Sequence, residues 1–206
     1  MRHLSIGKLI LILSLFVCSN AFGQNTNSFQ PKFKQSRKTT HEIKKGQKYT
    51  FGYLEVLENR NKPDGNRIKL PVYIFKSRSD NPKPDPVIYT VGGPGYTSMR
   101  ASQYMQYYKY LDDRDLILFE QRGTQFAQPN LACPEWSEAV YLANLPENRE
   151  ANRDSIFTKA ALKCRERLVN DGIDLNGYHT KEIAADIEDL RRVLHIEQYC
   201  IATDTL

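Results

Sequence analysis

Two short runs do most to limit what this chain can fold into. They are VIYTV at 87–91 and LILF at 116–119, and each breaks off into glycine, as GGPG at 92–95 and EQRG at 120–123. Runs of four or five aliphatic and β-branched residues are too short for helices and suit strands buried on both faces. Upstream, residues 49–57 and 68–75 are rich in aromatic and β-branched side chains. They flank ENRNKPDGNR, whose Pro63-Asp64-Gly65 marks a turn, so the pair is predicted to be a hairpin. Helices are expected near 98–110 and over 152–170. A further helix follows, with Thr180 as its N-cap, Glu182 in its first turn, and an apolar stripe of Ile183, Ile187, Leu190 and Leu194. Residues 198–202 (QYCIA) read as one more strand. This order predicts an α/β domain over 49–206, with an N-terminal hairpin, a mostly parallel sheet, flanking helices and a helical excursion at about 124–178.

The first 23 residues carry a different message. Arg2 and Lys8 precede LILILSLFV at 9–17, and Ala21-Phe22-Gly23 places small residues before Gln24, the layout of a secretory signal peptide. A bilayer span needs roughly 20 apolar residues, so no stable membrane anchor is expected after cleavage. The bulky Phe16 and Val17 argue against a lipoprotein signal at Cys18. Export to the periplasm or the extracellular space is the expectation.

Residues 24–48 hold seven basic residues and one acid, whereas the body from Tyr49 onward has 20 basic and 23 acidic residues. The formal charge of +5 is therefore local and gives no reason to expect a nucleic-acid-binding fold. With few large apolar side chains, 24–48 is expected to be a flexible, solvated lead-in. Contact with an acidic surface is its alternative reading. Of the cysteines beyond the signal, Cys133 lies in a Pro-flanked loop and Cys164 on the apolar side of the 152–170 helix. In an oxidising compartment these two can pair and staple the segment between them. Cys200 is expected to be a buried free thiol. No CxxC or HxxxH spacing occurs, and neither a metal nor a cofactor is expected.

Glycines at the carboxyl end of a strand can turn backbone N–H groups toward an anion, because no Cβ shields them. Five segments then fall in a telling order: FGYLEVLENRNKPDGNRIKLPV, VGGPG, DRDLILFEQRGT, PNLACPEW and YHTKEIAADIEDLRRVLHIEQY. In this, residues 51–201 resemble α/β-hydrolases of the prolyl iminopeptidase and tripeptidyl aminopeptidase type, serine peptidases that release N-terminal residues or short peptides. The resemblance implies a peptide substrate. It also implies that Gly93 offers an oxyanion-hole N–H in a turn shaped by Gly92, Pro94 and Gly95. Glu120, Gln121, Arg122 and Gly123 match the family's DQRG with Glu for Asp, and Arg122 is expected to be a structural tie. His195 stands where the family's helix usually ends in Gly.

The family's next feature is G-x-S-x-G, the turn that exposes the nucleophilic Ser, followed later by Asp or Glu and then His. Aligned without a gap, Thr203 falls on the first Gly and Thr205 on the Ser. A β-branched residue suits that strained turn badly. Of the histidines, His41 lies in the lead-in and His179 and His195 flank one helix, so none is expected to act as a general base. Ser98 reads as a helix-start residue. The expectation is the N-terminal portion of a secreted aminopeptidase-like hydrolase, cut short and inactive as it stands. The alternative is a non-catalytic exported binding protein of the same architecture.

Overall fold

The computed structural model describes residues 29–93, 95–148 and 153–204; the signal-like segment, Pro94 and Thr205 lie outside them. Six strands form one mixed sheet: β1 Lys32–Gln35, β2 Tyr49–Leu57, β3 Arg67–Phe75, β4 Val87–Val91, β5 Leu116–Phe119 and β6 Cys200–Asp204. Their order is β1-β2-β3-β5-β4-β6. The β1–β2, β2–β3 and β3–β5 pairings are antiparallel, while β4 runs parallel to both β5 and β6. The domain is thus α/β, but the sheet expected to be mostly parallel has three antiparallel pairings and two parallel ones. The hairpin joins the sheet directly, and β3 pairs with β5 across the full length of β5.

Alternation along the strands explains why LILF is apolar throughout. Ile117 and Phe119 join Leu54, Val56, Ile68, Leu70, Val72 and Ile88 on one face. Leu116 and Leu118 join Phe51, Tyr73, Phe75, Val87 and Tyr89 on the other. Helix α3 (Thr180–Val193) covers the first face with Ile187 and Leu190. The short 3-10 stretches Met99–Tyr107 and Lys109–Asp112 cover the second with Met99, Met105 and Leu111. The helix expected near 98–110 is therefore of the tighter 3-10 kind. Helices α1 (Pro134–Ala143) and α2 (Arg153–Asn170) form the excursion and pack against each other. None of the described helices is long and apolar enough to cross a membrane.

Part of the lead-in is not loose. β1 pairs along β2 from Lys32↔Glu55 to Gln35↔Gly52. Phe33 packs on the first core cluster, a single aromatic that the basic composition masks. Gly52 makes the approach possible, since a Cβ there would stand 2.5 Å from the Lys34 carbonyl and 2.7 Å from the Phe33 ring. Further on, the Tyr73 hydroxyl accepts the N–H of Thr40 at 3.1 Å and that of His41 at 3.2 Å.

Two other expectations need correction. Cys200 is exposed rather than buried, because β6 is the outermost strand and no helix covers that residue; its Sγ lies 3.6 Å from Asp85 Oδ2. His179, not Thr180, is the N-cap of α3, its Nδ1 accepting from Glu182 N. At the other end His195 takes the left-handed conformation, φ 55°, with Ile196 N bonded to Arg191 O at 2.9 Å. Glycine is the residue best suited to that position. Both histidines thus end one helix.

Candidate functional site at the glycine turn

The carboxyl ends of β4, β5 and β6 come together. β4 and β6 stay in register up to Thr90↔Thr203 and Val91↔Asp204, and Gly92 and Gly93 follow directly on β4. Gly93 has φ +57°, and a Cβ on it would meet the Tyr96 ring at 2.8 Å. Any other residue there would be strained by its backbone and blocked by that ring. Gly93 is exposed, and its N–H has no hydrogen-bond partner among the described residues. Tyr96 N closes the turn on Gly93 O at 3.3 Å. A free backbone donor in a fixed turn can stabilise a negative oxygen.

Three consecutive residues after β5 each point to a different element, and the first two brace the turn. Glu120 is fully buried. It accepts from Thr97 Oγ1 at 2.8 Å, Ser98 N at 3.0 Å and Phe126 N at 3.2 Å. The longer Glu side chain, standing where the resemblance expected Asp, therefore reaches two separate backbone segments. Gln121 Nε2 donates to Thr90 Oγ1 at 2.6 Å and to Val91 O at 3.0 Å, holding the end of β4.

Arg122 points the other way. Its Nε and Nη2 each donate to Asp186 at 2.7 Å, and its Nη1 donates to the carbonyls of Glu58 at 2.6 Å and Gly177 at 2.5 Å. Its side chain is wholly buried, so it joins β5 to α3 and the hairpin and does not face the turn. Arg60 adds to the same cluster from the β2–β3 turn. It bonds Asp186 at 2.7 Å, Asp189 at 2.5 Å and Glu182. Burial alone would lower the Arg60 pKa, but its bonds to Asp189, Asp186 and Glu182 hold it above the ordinary value. Burial pushes the Asp186 carboxyl up, against the downward pull of Arg122 and then Arg60. Arg60, Asp186 and Asp189 were not singled out from the sequence, and Glu182 was noted there only for its place in the first turn of the helix. Their signal was present: acids at 182, 186 and 189 lie along one helical face.

Outside this cluster, Asp174 ties the hairpin turn to the segment before α3. It accepts from Asn59 Nδ2 at 2.9 Å and Lys62 Nζ at 2.7 Å. Those two bonds, Lys62 first, bring its carboxyl from the ordinary 3.8 to about 2. A carboxyl lowered on folding contributes stability that is present above its unfolded pKa and lost as pH falls through the folded one. Asp174→Asn is therefore expected to cost stability at pH 5 and to cost progressively less between pH 4 and pH 2. Parallel melting curves of variant and parent across that range check this; a gap that stays constant with pH would refute it.

No described hydroxyl is set up as a nucleophile. Ser98 is 2% exposed, and its Oγ donates to Phe119 O at 2.7 Å. Among the described residues the hydroxyl bonded to a histidine ring is Thr40 Oγ1, 3.1 Å from Nδ1 of its neighbour His41 and shared with Tyr73. The His41 ring lies edge-on to Phe126, with centroids 5.0 Å apart. Burial and then the charge of Arg100 lower its pKa, while Glu120 acts in the opposite direction. Thr203 is exposed on β6.

Cys133 and Cys164 form a disulfide with Cα atoms 5.6 Å apart, inside the separation that such a bond requires. Together with Glu135 they make the one described group with metal-ligand proximity. The two sulfurs are bonded to each other, however, and Glu135 is held by Arg167 at 2.7 Å. With that geometry in view, no protein-family model matches the chain, and a search of curated proteins returned no match.

Proposed function

We propose that this domain is that of an exported α/β-hydrolase related to serine aminopeptidases, and that the 206 residues by themselves are catalytically silent. Gly93 carries the reading. It is an exposed N–H with no partner among the described residues, in a left-handed turn at the carboxyl end of β4, beside the point that β6 reaches. Ligand sites of open α/β sheets gather at such strand ends. In this reading Gly93 supplies one oxyanion donor for a peptide substrate, while Glu120 and Gln121 keep the turn rigid. The disulfide is compatible with export.

Acyl transfer also needs an activated nucleophile and a base to take its proton. Ser98 is locked to a carbonyl and His41 sits against Phe126, so neither role is filled among the described residues. An oxyanion hole and binding alone leave about 10³- to 10⁴-fold over water, too little to register as peptidase turnover. The purified 206-residue chain is expected to leave aminoacyl and tripeptidyl chromogenic substrates uncut and to take no label from a serine-directed fluorophosphonate. Joined to a downstream segment with a Gly-x-Ser-x-Gly elbow and a later Asp and His, it is expected to gain both signals. Stoichiometric labelling of the 206-residue chain would overturn its silence. A joined, folded chain that stays inactive would favour a non-catalytic binding protein.

A further inference from the structure

A cavity of about 450 Å³ lies away from the glycine turn, between residues 43–48, the segment after β3 and the 3-10 stretch Met99–Tyr107. The end of β3 lies beside Leu116, the first residue of β5, so this is the opposite end of the sheet. We propose that it binds a small organic oxyanion, a phosphate or sulfate ester, with its charged group between the lysines of the 43–48 turn and the Ser102 hydroxyl.

Five cations line the cavity: Lys44, Lys45, Lys48, Lys76 and Arg78. Two are already committed, Lys76 to Asp115 at 2.7 Å and Arg78 to Asp112 at 2.5 Å. Arg78 also donates to Met105 O at 2.7 Å. Lys44, Lys45 and Lys48 have no acidic partner among the described residues. Nor do they hang on a loose tail, because Gln47 N closes a turn on Lys44 O at 3.3 Å and Lys76 N bonds Lys48 O at 3.0 Å. Three charges without an acidic partner among the described residues, on a fixed turn, suit an anionic group.

Ser102 provides the independent observation. It lines the cavity, is 2% exposed, and its buried Oγ has no hydrogen-bond partner among the described residues. Buried hydroxyls are nearly always bonded, so an unpaired hydroxyl on a residue of the cavity wall points to a ligand acceptor. Ile43 and Met105 supply apolar wall. The volume is in the range of small-molecule pockets and far exceeds a bare phosphate. Charge, donor and apolar wall together favour an ester with an organic body over the free inorganic ion.

Titration of the 206-residue protein with phenyl phosphate, phenyl sulfate, inorganic phosphate and neutral phenol, followed by amide chemical shifts, tests this. Saturable one-to-one binding of a phenyl ester is expected, weaker for the inorganic ion and absent for phenol, with the Ser102 and Lys48 amides shifting. Ser102→Ala is expected to weaken the ester about tenfold without lowering the melting temperature of the free protein. The double substitution Lys44→Gln, Lys48→Gln is expected to weaken it similarly and to flatten its salt dependence. No saturable binding at low salt, unmoved Ser102 and Lys48 amides, or equal affinity in a folded Ser102→Ala variant would each overturn the site.

Discussion

Replacing Arg122 by Met is expected to lower the unfolding free energy by about 3–5 kcal/mol, the cost of breaking a buried ion pair from one side. The substitution keeps most of the volume but removes both bonds to Asp186 and those to the carbonyls of Leu57, Glu58 and Gly177. Asp186 is wholly buried and would keep only Arg60, whose side chain is one-quarter exposed. In a chain of this size the loss corresponds to a fall in melting temperature of roughly 6–20 °C. Arg122→Lys is expected to rescue little, because an ammonium cannot reproduce the paired bonds of a guanidinium fork to one carboxylate and three carbonyls. Denaturant unfolding of parent and both variants decides the matter. A loss below about 1 kcal/mol for Met, or full rescue by Lys, would mean that Arg122 is not the tie between β5, α3 and the hairpin.

The second large effect concerns the excursion. Cys133 and Cys164 are 31 residues apart in sequence, and closing a loop of that length restricts the unfolded chain by about 3–4 kcal/mol. Helices α1 and α2 have little else to hold them. Their buried residues are mainly small, Ala139, Ala143 and Ala160 with Cys164 and Leu168, while Tyr141 and Leu162 remain well exposed. A Trp136–Phe157 ring contact at 4.9 Å and the Arg167–Glu135 ion pair complete the interface. Reduction, or Cys133→Ala with Cys164→Ala, is therefore expected to raise hydrogen exchange sharply in α1 and α2 while sparing β3, β4 and β5. The central strands lie in two clusters that contain no residue of α1 or α2. Unchanged exchange in α1 and α2 after reduction would count against the staple, and a uniform rise across the sheet would show that the excursion is not a separate unit.

Local pattern was enough for the elements whose faces are both buried or cleanly divided. Val87–Val91 and Leu116–Phe119 appear at the expected bounds, because an uninterrupted apolar run has one stable outcome in water, a strand covered on both sides. The apolar stripe of α3 was legible for the same reason, and so was the hairpin from its flanking periodicity and turn residues. Gly93 was legible as a turn, since its neighbours leave few other conformations open.

Tertiary structure decided what depends on partners distant in sequence. β1 forms because one aromatic, Phe33, finds the bare backbone of Gly52 and a core behind it, which no count of lysines could reveal. The hairpin extends the sheet with antiparallel pairings because β3 lies beside β5, a partner far off along the chain that local pattern does not name. Cys200 is exposed because β6 ends up outermost, and the same short sequence would be buried one position further in. The acids at 182, 186 and 189 have helical spacing in the sequence, a signal that was missed, and only the fold brings Arg60 and Arg122 onto them. Sequence by itself determines which segments must leave water and with what period. Which strand lies beside which, and which charge meets which, follows from long-range packing that local pattern does not encode.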